Sequence, residues 1–340
     1  MSLSLDAILL RALQARSGLR DPQWQGALRL FNGFLEGNSE LAVDLFARTA
    51  VVHDHAASAS EASAQLATVE TFVREHLPEV RALLVKSKQS ADPEARRGVL
   101  RFGTSADLDR RVRENGVAYA LDLRLNQDAS LYLDTRELRA WAKAKLADQI
   151  VLNTFAYTGS LGVAARAAPA KRVVQTDLNR AYLNLAKDSY ALNRWPVVRS
   201  DFRGGDFFEV MGELKRQGAL FDCVFVDPPF FSTTDKGTVD LEKEFARLLN
   251  KVRPLVGDGG RLVAVNNALF VSGAEYQKQL QSLCADGYLE LDELIPAPAD
   301  FVGFPETRVG APPADPAPFN HSTKIAVLRA KRKDGKKASG

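Results

Sequence analysis

Residues 221–231 read FDCVFVDPPFF, an apolar run that stops on Asp227, turns through Pro228 and Pro229 and ends on Phe230 and Phe231. Proline has a fixed φ and no amide hydrogen, so the acid is followed by a stiff corner at the end of a strand. Asp227 and a carbonyl of that corner can accept hydrogen bonds from a planar amine, and Phe230 can stack on the ring that carries it. Stiffness serves such chemistry because reaction rates depend steeply on the placement of the reacting atoms. Alone, these residues read better as a turn followed by a core phenylalanine, and only their neighbours alter that reading.

A second stretch, LNTFAYTGSLGVAARA (152–167), sets Gly159 and Gly162 between an apolar strand and an alanine-rich helix. In an open parallel sheet, ligands bind beyond the carboxyl ends of the strands, and small residues there let a cofactor approach the backbone. The stretch offers Tyr157-Thr158-Gly159-Ser160 in place of the GxGxxG order of a pyrophosphate turn, which disfavours a dinucleotide. The next strand ends in Asp177, eighteen positions beyond Gly159, where an acid commonly meets the ribose hydroxyls of an adenosine-containing cofactor. A helix N-cap is the competing role for Asp177, and the two can coexist. Asp206, in GGDFFEV, could accept an adenine amino group, with Phe207 against the ring.

The elements that must position these residues alternate strictly from residue 149. Strands are expected at QIVLNTF, RVVQTDL, PVVRSDF, DCVFVDP and RLVAVNN, with helices between them, then at YLELDELI and STKIAVLRA. Apolar strands separated by helices imply a parallel sheet covered on both faces. The expected fold class is α/β, Rossmann-like, with a mostly parallel seven-stranded sheet closed by an antiparallel C-terminal hairpin. A Pro-rich loop containing APAD, FPE and APPADPAP joins the last two strands. Upstream, residues 1–26 read as a docked amphipathic helix, 27–115 as a small α+β domain, 116–330 as the main domain and 331–340 as a disordered basic tail. Residues 117–133 are expected to form a hairpin leading into the helix DTRELRAWAKAKLA.

The chain has 340 residues, 46% hydrophobic and 26% charged, which suits two globular domains, and no apolar run is long enough for a membrane span. A net charge of +3 decides nothing about nucleic acid. Two cysteines, Cys223 and Cys284, make neither a zinc site nor a disulfide framework and suit a reducing cytoplasm. His53 and His55 share a face of a strand, but two ligands do not complete a metal site, so no metal is expected. Six arginines between Arg96 and Arg113, and five basic residues between Lys331 and Lys337, could contact phosphates or could simply be solvated surface.

Taken in order, RLFNGFLEG (29–37), LDTRELR (133–139), LNTFAYTGS (152–160), Asp177, DFFEVM (206–211), FDCVFVDPPFF and AVNNALF (264–270) resemble class I S-adenosylmethionine-dependent methyltransferases acting on large-subunit (23S) ribosomal RNA. The resemblance runs from about residue 27 to 329. It implies that Phe155, Tyr157, Thr158, Gly159, Ser160, Asp177, Leu178, Asp206, Phe207 and Asp227 surround S-adenosylmethionine, with Asp134 and Arg136 closing over it and the small domain helping to hold RNA. Members that make 5-methylcytosine carry a cysteine after the fifth strand. This chain has Asn266-Asn267 there, as in relatives that methylate a guanine nitrogen. Carbon-5 of cytosine needs covalent activation whereas a purine nitrogen has or can expose a lone pair, so direct in-line transfer to a base nitrogen is expected, with Asp227, Pro228, Pro229 and Phe230 as the catalytic corner and Phe230, Asn266 and Asn267 on the base. The middle residue of Asp134-Thr135-Arg136 departs from the family pattern. The alternatives are a 5-methylcytosine enzyme, a catalytically silent RNA-binding assembly protein, a nicotinamide oxidoreductase, and a methyltransferase acting on another planar amide-like nitrogen.

Overall fold

The computed structural model describes residues 3–310 and 322–338. The chain divides into two compact units, Met1–Leu133 with Pro298–Pro312, and Asp134–Ala297 with Pro313–Gly340. The boundary thus falls beyond the residue 115 expected from sequence, and the first unit is completed by a segment from far down the chain.

In the first unit the amphipathic start folds as α1 (Leu5–Ala15), capped by the Ser4 hydroxyl on the Ala7 N–H and burying Ile8, Leu9, Ala12 and Leu13. Strands β1 (Ala27–Asn32), β2 (Leu41–Phe46), β3 (Thr49–Asp54), β4 (Ala82–Ser87) and β5 (Val99–Phe102) form one sheet in sequence order. Its pairings are antiparallel except β3–β4, which are parallel because α3 (Ala59–His76) crosses between them. Two short helices, α2 (Gly33–Glu36) and α4 (Pro93–Arg97), turn the chain, and β6 (Arg111–Glu114) pairs with β7 (Val117–Ala120) in the hairpin. The hairpin therefore begins earlier than residue 117. His53 is not poised for metal: it is buried on β3 with Nε2 3.0 Å from Asp44, which also takes the Arg29 guanidinium at 2.8 Å. His55 lies outside β3 and is exposed.

The Pro-rich connection expected to be a loop is built into this unit from residue 298 to 310. Arg16 and Glu36, both fully buried, form a two-pronged ion pair at 2.9 and 3.0 Å, and the Thr307 hydroxyl donates to the same carboxylate. Arg16 also donates to the Asp300 carbonyl, and the Asp300 carboxylate takes the Arg29 backbone N–H at 2.8 Å. Burying charge is tolerable only when it is paired and hydrogen-bonded, and these residues supply that. The stretch APPADPAP lies outside the described residues.

In the second unit α5 (Arg136–Lys145) precedes β8 (Ile150–Thr154), α6 (Ser160–Ala167), β9 (Arg172–Asp177), α7 (Arg180–Leu192), β10 (Phe202–Gly204), α8 (Phe207–Arg216) and β11 (Phe221–Val226). The small hairpin β12 (Phe231–Thr234) and β13 (Gly237–Asp240) follows, then α9 (Phe245–Val252), β14 (Val256–Asn266), α10 (Gly273–Cys284), β15 (Leu289–Ile295) and β16 (Lys324–Ala330). Among the described residues the main sheet has the order β10-β9-β8-β11-β14-β16-β15. Strands β10, β9, β8, β11 and β14 pair in parallel, and the strand that reverses is β16, inserted between β14 and β15. Buried strands such as IVLNT and FDCVFV read as near-continuous apolar runs because helices cover both faces. PVVRSDF yields only the three-residue edge strand β10, its preceding residues forming a 3₁₀ turn. The tail does not hang free: Arg332 donates to the Pro254 and Val256 carbonyls, and the Lys336 carbonyl accepts the Asp258 N–H at 2.7 Å.

Candidate active site

Because β8, β9, β10, β11 and β14 run in parallel, Phe155, Asp177, Asp206, Asp227 and Asn267 all follow or end carboxyl termini along one edge of the sheet. The register aligns them, with Thr154 opposite Val226 and Asp177 opposite Gly204. β16 runs the other way, so its start, Lys324, meets the same edge opposite Asn266.

The loop after β8 is strained. Phe155 and Tyr157 both have φ of 50° and Gly159 has 78°. Left-handed backbone at bulky residues costs about 1–2 kcal/mol each and persists where surrounding structure dictates it. Here the Ala156 N–H reaches the Thr176 carbonyl at 2.9 Å and the Tyr157 N–H reaches the Asp177 carboxylate at 2.8 Å. The other Asp177 oxygen accepts from the Asn179 N–H at 2.8 Å. Burial raises the Asp177 pKa, while these two backbone donors pull it down. Capping of α7 falls to Asn179, which accepts the Ala181 N–H at 2.9 Å, so Asp177 braces the loop and keeps lone pairs for a further donor. Leu178, beside it, is largely exposed. Thr158 is buried and Ser160 opens α6.

The glycines have a different reason from the one their spacing suggested. A Cβ on Gly159 would stand 2.4 Å from the Ala186 Cβ and 2.6 Å from Gln175 Oε1, and one on Gly162 would stand 2.5 Å from Gln175. They admit the close packing of α6 on β9 and α7. Their position after β8 remains that of a helix N-terminus at the sheet edge.

Asp206 is the N-cap of α8, accepting the Phe208 and Glu209 N–H groups, and its second oxygen takes the Thr234 hydroxyl at 2.6 Å. Thr234 lies on β12, so the carboxylate expected to read an adenine amino group also ties down the hairpin that follows the Asp-Pro-Pro corner. Phe207 is buried and stacks on Phe155 at 4.3 Å between centroids. Of this pair Phe155 keeps the larger accessible surface.

Asp227 follows β11 directly, partly buried, with Pro228 buried and Pro229 and Phe230 exposed. Burial, and then the charge of Asp134, push its pKa up to about 7. Asp134 is held by the Thr323 hydroxyl just before β16, and Arg136 begins α5 beyond it. The Asp134 carboxylate thus acts electrostatically on Asp227, a setting that favours a nearby cation. Cys223 sits inside β11, 0% exposed, with burial pushing its thiol pKa up, and Cys284 lies on α10. Neither follows a strand at this edge of the sheet.

The expectation that Asn266 reads a base edge does not hold. It is 0% exposed, its Oδ1 accepts the Ala268 N–H at 2.9 Å and its Nδ2 donates to the Leu241 carbonyl. Asn267 differs: its Oδ1 is buried with no partner among the described residues. Sequence reasoning assigned no role to Thr234, Thr323, Leu269 or Phe270. Leu269 and Phe270 are 76% and 80% exposed after β14, whose sheet neighbour β11 is followed by the exposed Phe230 and Phe231. Their signal was an apolar pair just past a strand end, inside AVNNALF. The two threonines left none, since each acts on an acid distant in sequence. Among the described residues no group of three His, Cys, Asp or Glu side chains could hold a metal, and no helix is long and apolar enough to cross a membrane.

The strand order, the strained loop after the first strand of the sheet and the acids at successive strand ends define a doubly wound fold of the methyltransferase type. A sequence profile for S-adenosylmethionine-dependent methyltransferases matches residues 100–294, and the chain belongs to that family. Among curated proteins it is 32% identical over 197 residues to ribosomal RNA large subunit methyltransferase K/L of Shewanella amazonensis, covering 57% of this chain and 27% of the relative. It is 30% identical over 222 residues to ribosomal RNA large subunit methyltransferase I of Alteromonas mediterranea, covering 65% of this chain and 55% of the relative. The chain therefore spans only about a quarter to a half of these two relatives. Among solved structures, SMU.776, a protein assigned as a methyltransferase and solved with SAH, superposes with a TM-score of 0.81 at 18% identity, over 97% of this chain and 83% of that one. The tRNA m1G37 methyltransferase of M. jannaschii gives 0.54 at 12% identity, over 100% and 82%. These likenesses show the fold.

The residues fit the family's cofactor, S-adenosylmethionine. A sulfonium is a cation, and Asp134 and Asp227 present two carboxyl groups whose mutual repulsion a cation would relieve.

Proposed function

We propose that the chain methylates a base nitrogen, guanine or adenine, of large-subunit ribosomal RNA by direct in-line transfer. The observation that carries this reading is the Asp227 corner: a carboxyl beside a second carboxyl, fixed by two prolines and flanked by an exposed Phe230, with both cysteines placed elsewhere. The names of the curated relatives support the RNA class.

Bound S-adenosylmethionine supplies a methyl group on a positively charged sulfur. Asp177 would hold its ribose, the Phe155–Ser160 loop with Asp206 and Phe207 would wall the adenosine, and Asp134 with Arg136 would close over the remainder. Leu178 would cover the outer side of the ribose. Asp227, ionised, would accept a hydrogen bond from the exocyclic or ring N–H of the base, orienting that nitrogen toward the methyl group, and would take up the proton the nitrogen sheds on methylation. Pro228 and Pro229 restrict the corner to one arrangement, and Phe230 stacks on the base. Asn267, with its unused buried acceptor, is the second contact to the base edge, replacing the pair first expected. A target within a duplex would have to leave the stack, at about a few kcal/mol, whereas an unpaired loop would not.

Mass spectrometry of ribosomal RNA nucleosides from cells lacking the protein, followed by transfer of labelled methyl to that RNA by the purified chain, tests the reading. A single missing N-methyl purine, restored in vitro, is expected. A missing 5-methylcytosine would overturn the nitrogen assignment, and cofactor binding without any lost nucleoside would favour the silent assembly protein. Cys223→Ala should keep activity within about twofold while lowering stability by on the order of 1 kcal/mol through the small cavity it leaves. An inactive but folded variant would point to carbon methylation.

A further inference from the structure

The arginines between residues 96 and 113 separate into two sets. Arg96 donates to the Ser90 carbonyl at 3.1 Å, Arg97 pairs with Glu94 at 3.2 Å and Arg101 pairs with Glu70 at 3.1 Å. Arg110, Arg111 and Arg113 are exposed, and none has a side-chain partner among the described residues. Glu114, which follows Arg113, alternates onto the other face of β6 with Val112, and the acids on the amino-terminal side are already engaged. Asp109 takes the Arg48 N–H, the Thr49 hydroxyl and the Arg81 guanidinium, and Asp107 takes the N–H and hydroxyl of Thr104.

On β6 the buried Val112 separates Arg111 from Arg113, so the two guanidinium groups leave the same outer face, about 6.8 Å apart along the strand. Across the hairpin they stand opposite Ala120 and Ala118, which neither neutralise nor cover them. Arg110 extends the row at its start. Crowded like charges with no acid among them repel, and a polyanion with evenly spaced charges offsets that repulsion. Guanidinium forks also match phosphate oxygens two bonds at a time.

We infer that Arg110, Arg111 and Arg113 form a sequence-independent contact to RNA backbone phosphates, while Arg96, Arg97 and Arg101 hold the fold. This rests on the RNA reading above. The test uses the full chain, a labelled short oligouridylate and fluorescence anisotropy over a range of salt. Replacing all three of Arg110, Arg111 and Arg113 by Gln should lower the slope of log Kd against log salt by about 2, near 0.7 per lost contact, and weaken binding at least about tenfold. Replacing Arg96, Arg97 and Arg101 by Gln should leave the slope unchanged and lower the melting temperature. S-adenosylmethionine affinity, unchanged in both, reports that the other unit is intact. If the parent chain binds the cofactor but no RNA, both this inference and the substrate reading fall. If the parent binds RNA and the first variant keeps its slope, only this inference falls.

Discussion

A carboxyl group that is desolvated at a strand end and repelled by a second carboxylate, as Asp227 is by Asp134, holds its proton up to about pH 7. Its work as an acceptor needs the ionised form, so kcat/KM should rise with pH through about 7 and level off above it, since this ratio reports groups of the free enzyme. A flat profile across that range in the parent protein would remove Asp227 from the chemistry. The same shift sets a stability trade. The folded pKa lies above the unfolded one, so the contribution of Asp227 is favourable at low pH and is lost as pH rises through about 7. Asp227→Asn should therefore melt a few degrees higher than the parent at pH 8 while losing roughly a hundredfold or more in transfer. A lower melting temperature at that pH would mean the carboxylate is structural. At this scale Asp177 and Asp227 were legible in sequence, because each ends or follows a recognisable apolar strand. The role of the glycines was not, because it is fixed by Gln175 and Ala186, side chains that only the folded packing brings near.

The turn after β14 shows how an element presents a surface. Asn266 clasps the Ala268 N–H and reaches the Leu241 carbonyl, Lys324 holds the Ala268 carbonyl at 3.1 Å, and the chain beyond carries Leu269 and Phe270 into solvent. Asn266→Ala leaves a buried N–H without an acceptor, a loss of about 1–3 kcal/mol, and should lower the melting temperature by several degrees while cofactor affinity stays within about twofold. A variant as stable as the parent but weak in RNA binding would restore Asn266 to the base edge. The alternation of strands and helices was readable from period and composition, and so was the sheet that carries the site. That β16 lies inside the sheet, between β14 and β15, was not, because pairing partners across a long connection leave no local mark.

At the scale of the whole molecule, the first unit is a discontinuous stretch of chain, finished by the segment around Asp300 and Thr307. A Pro-rich run signals only that regular structure stops, so its destination could not be read in advance. Asp300 is fully buried and accepts the Arg29 N–H of β1. Asp300→Ala should destabilise this unit by about 1–3 kcal/mol, seen as faster hydrogen exchange of the β1 amides with β11 and β14 unchanged. Uniform acceleration in both units would argue that they unfold together.

The same discontinuity bears on how the protein is made. Chain emerges from one end only, so Arg16 and Glu36 are synthesised early and wait for Thr307, which leaves the translating machinery 271 positions after Glu36. At typical elongation speeds that interval is roughly 15–55 s, during which an ion pair destined for complete burial is still open to water on one side. The first unit therefore cannot be completed until the segment around Thr307 has been made.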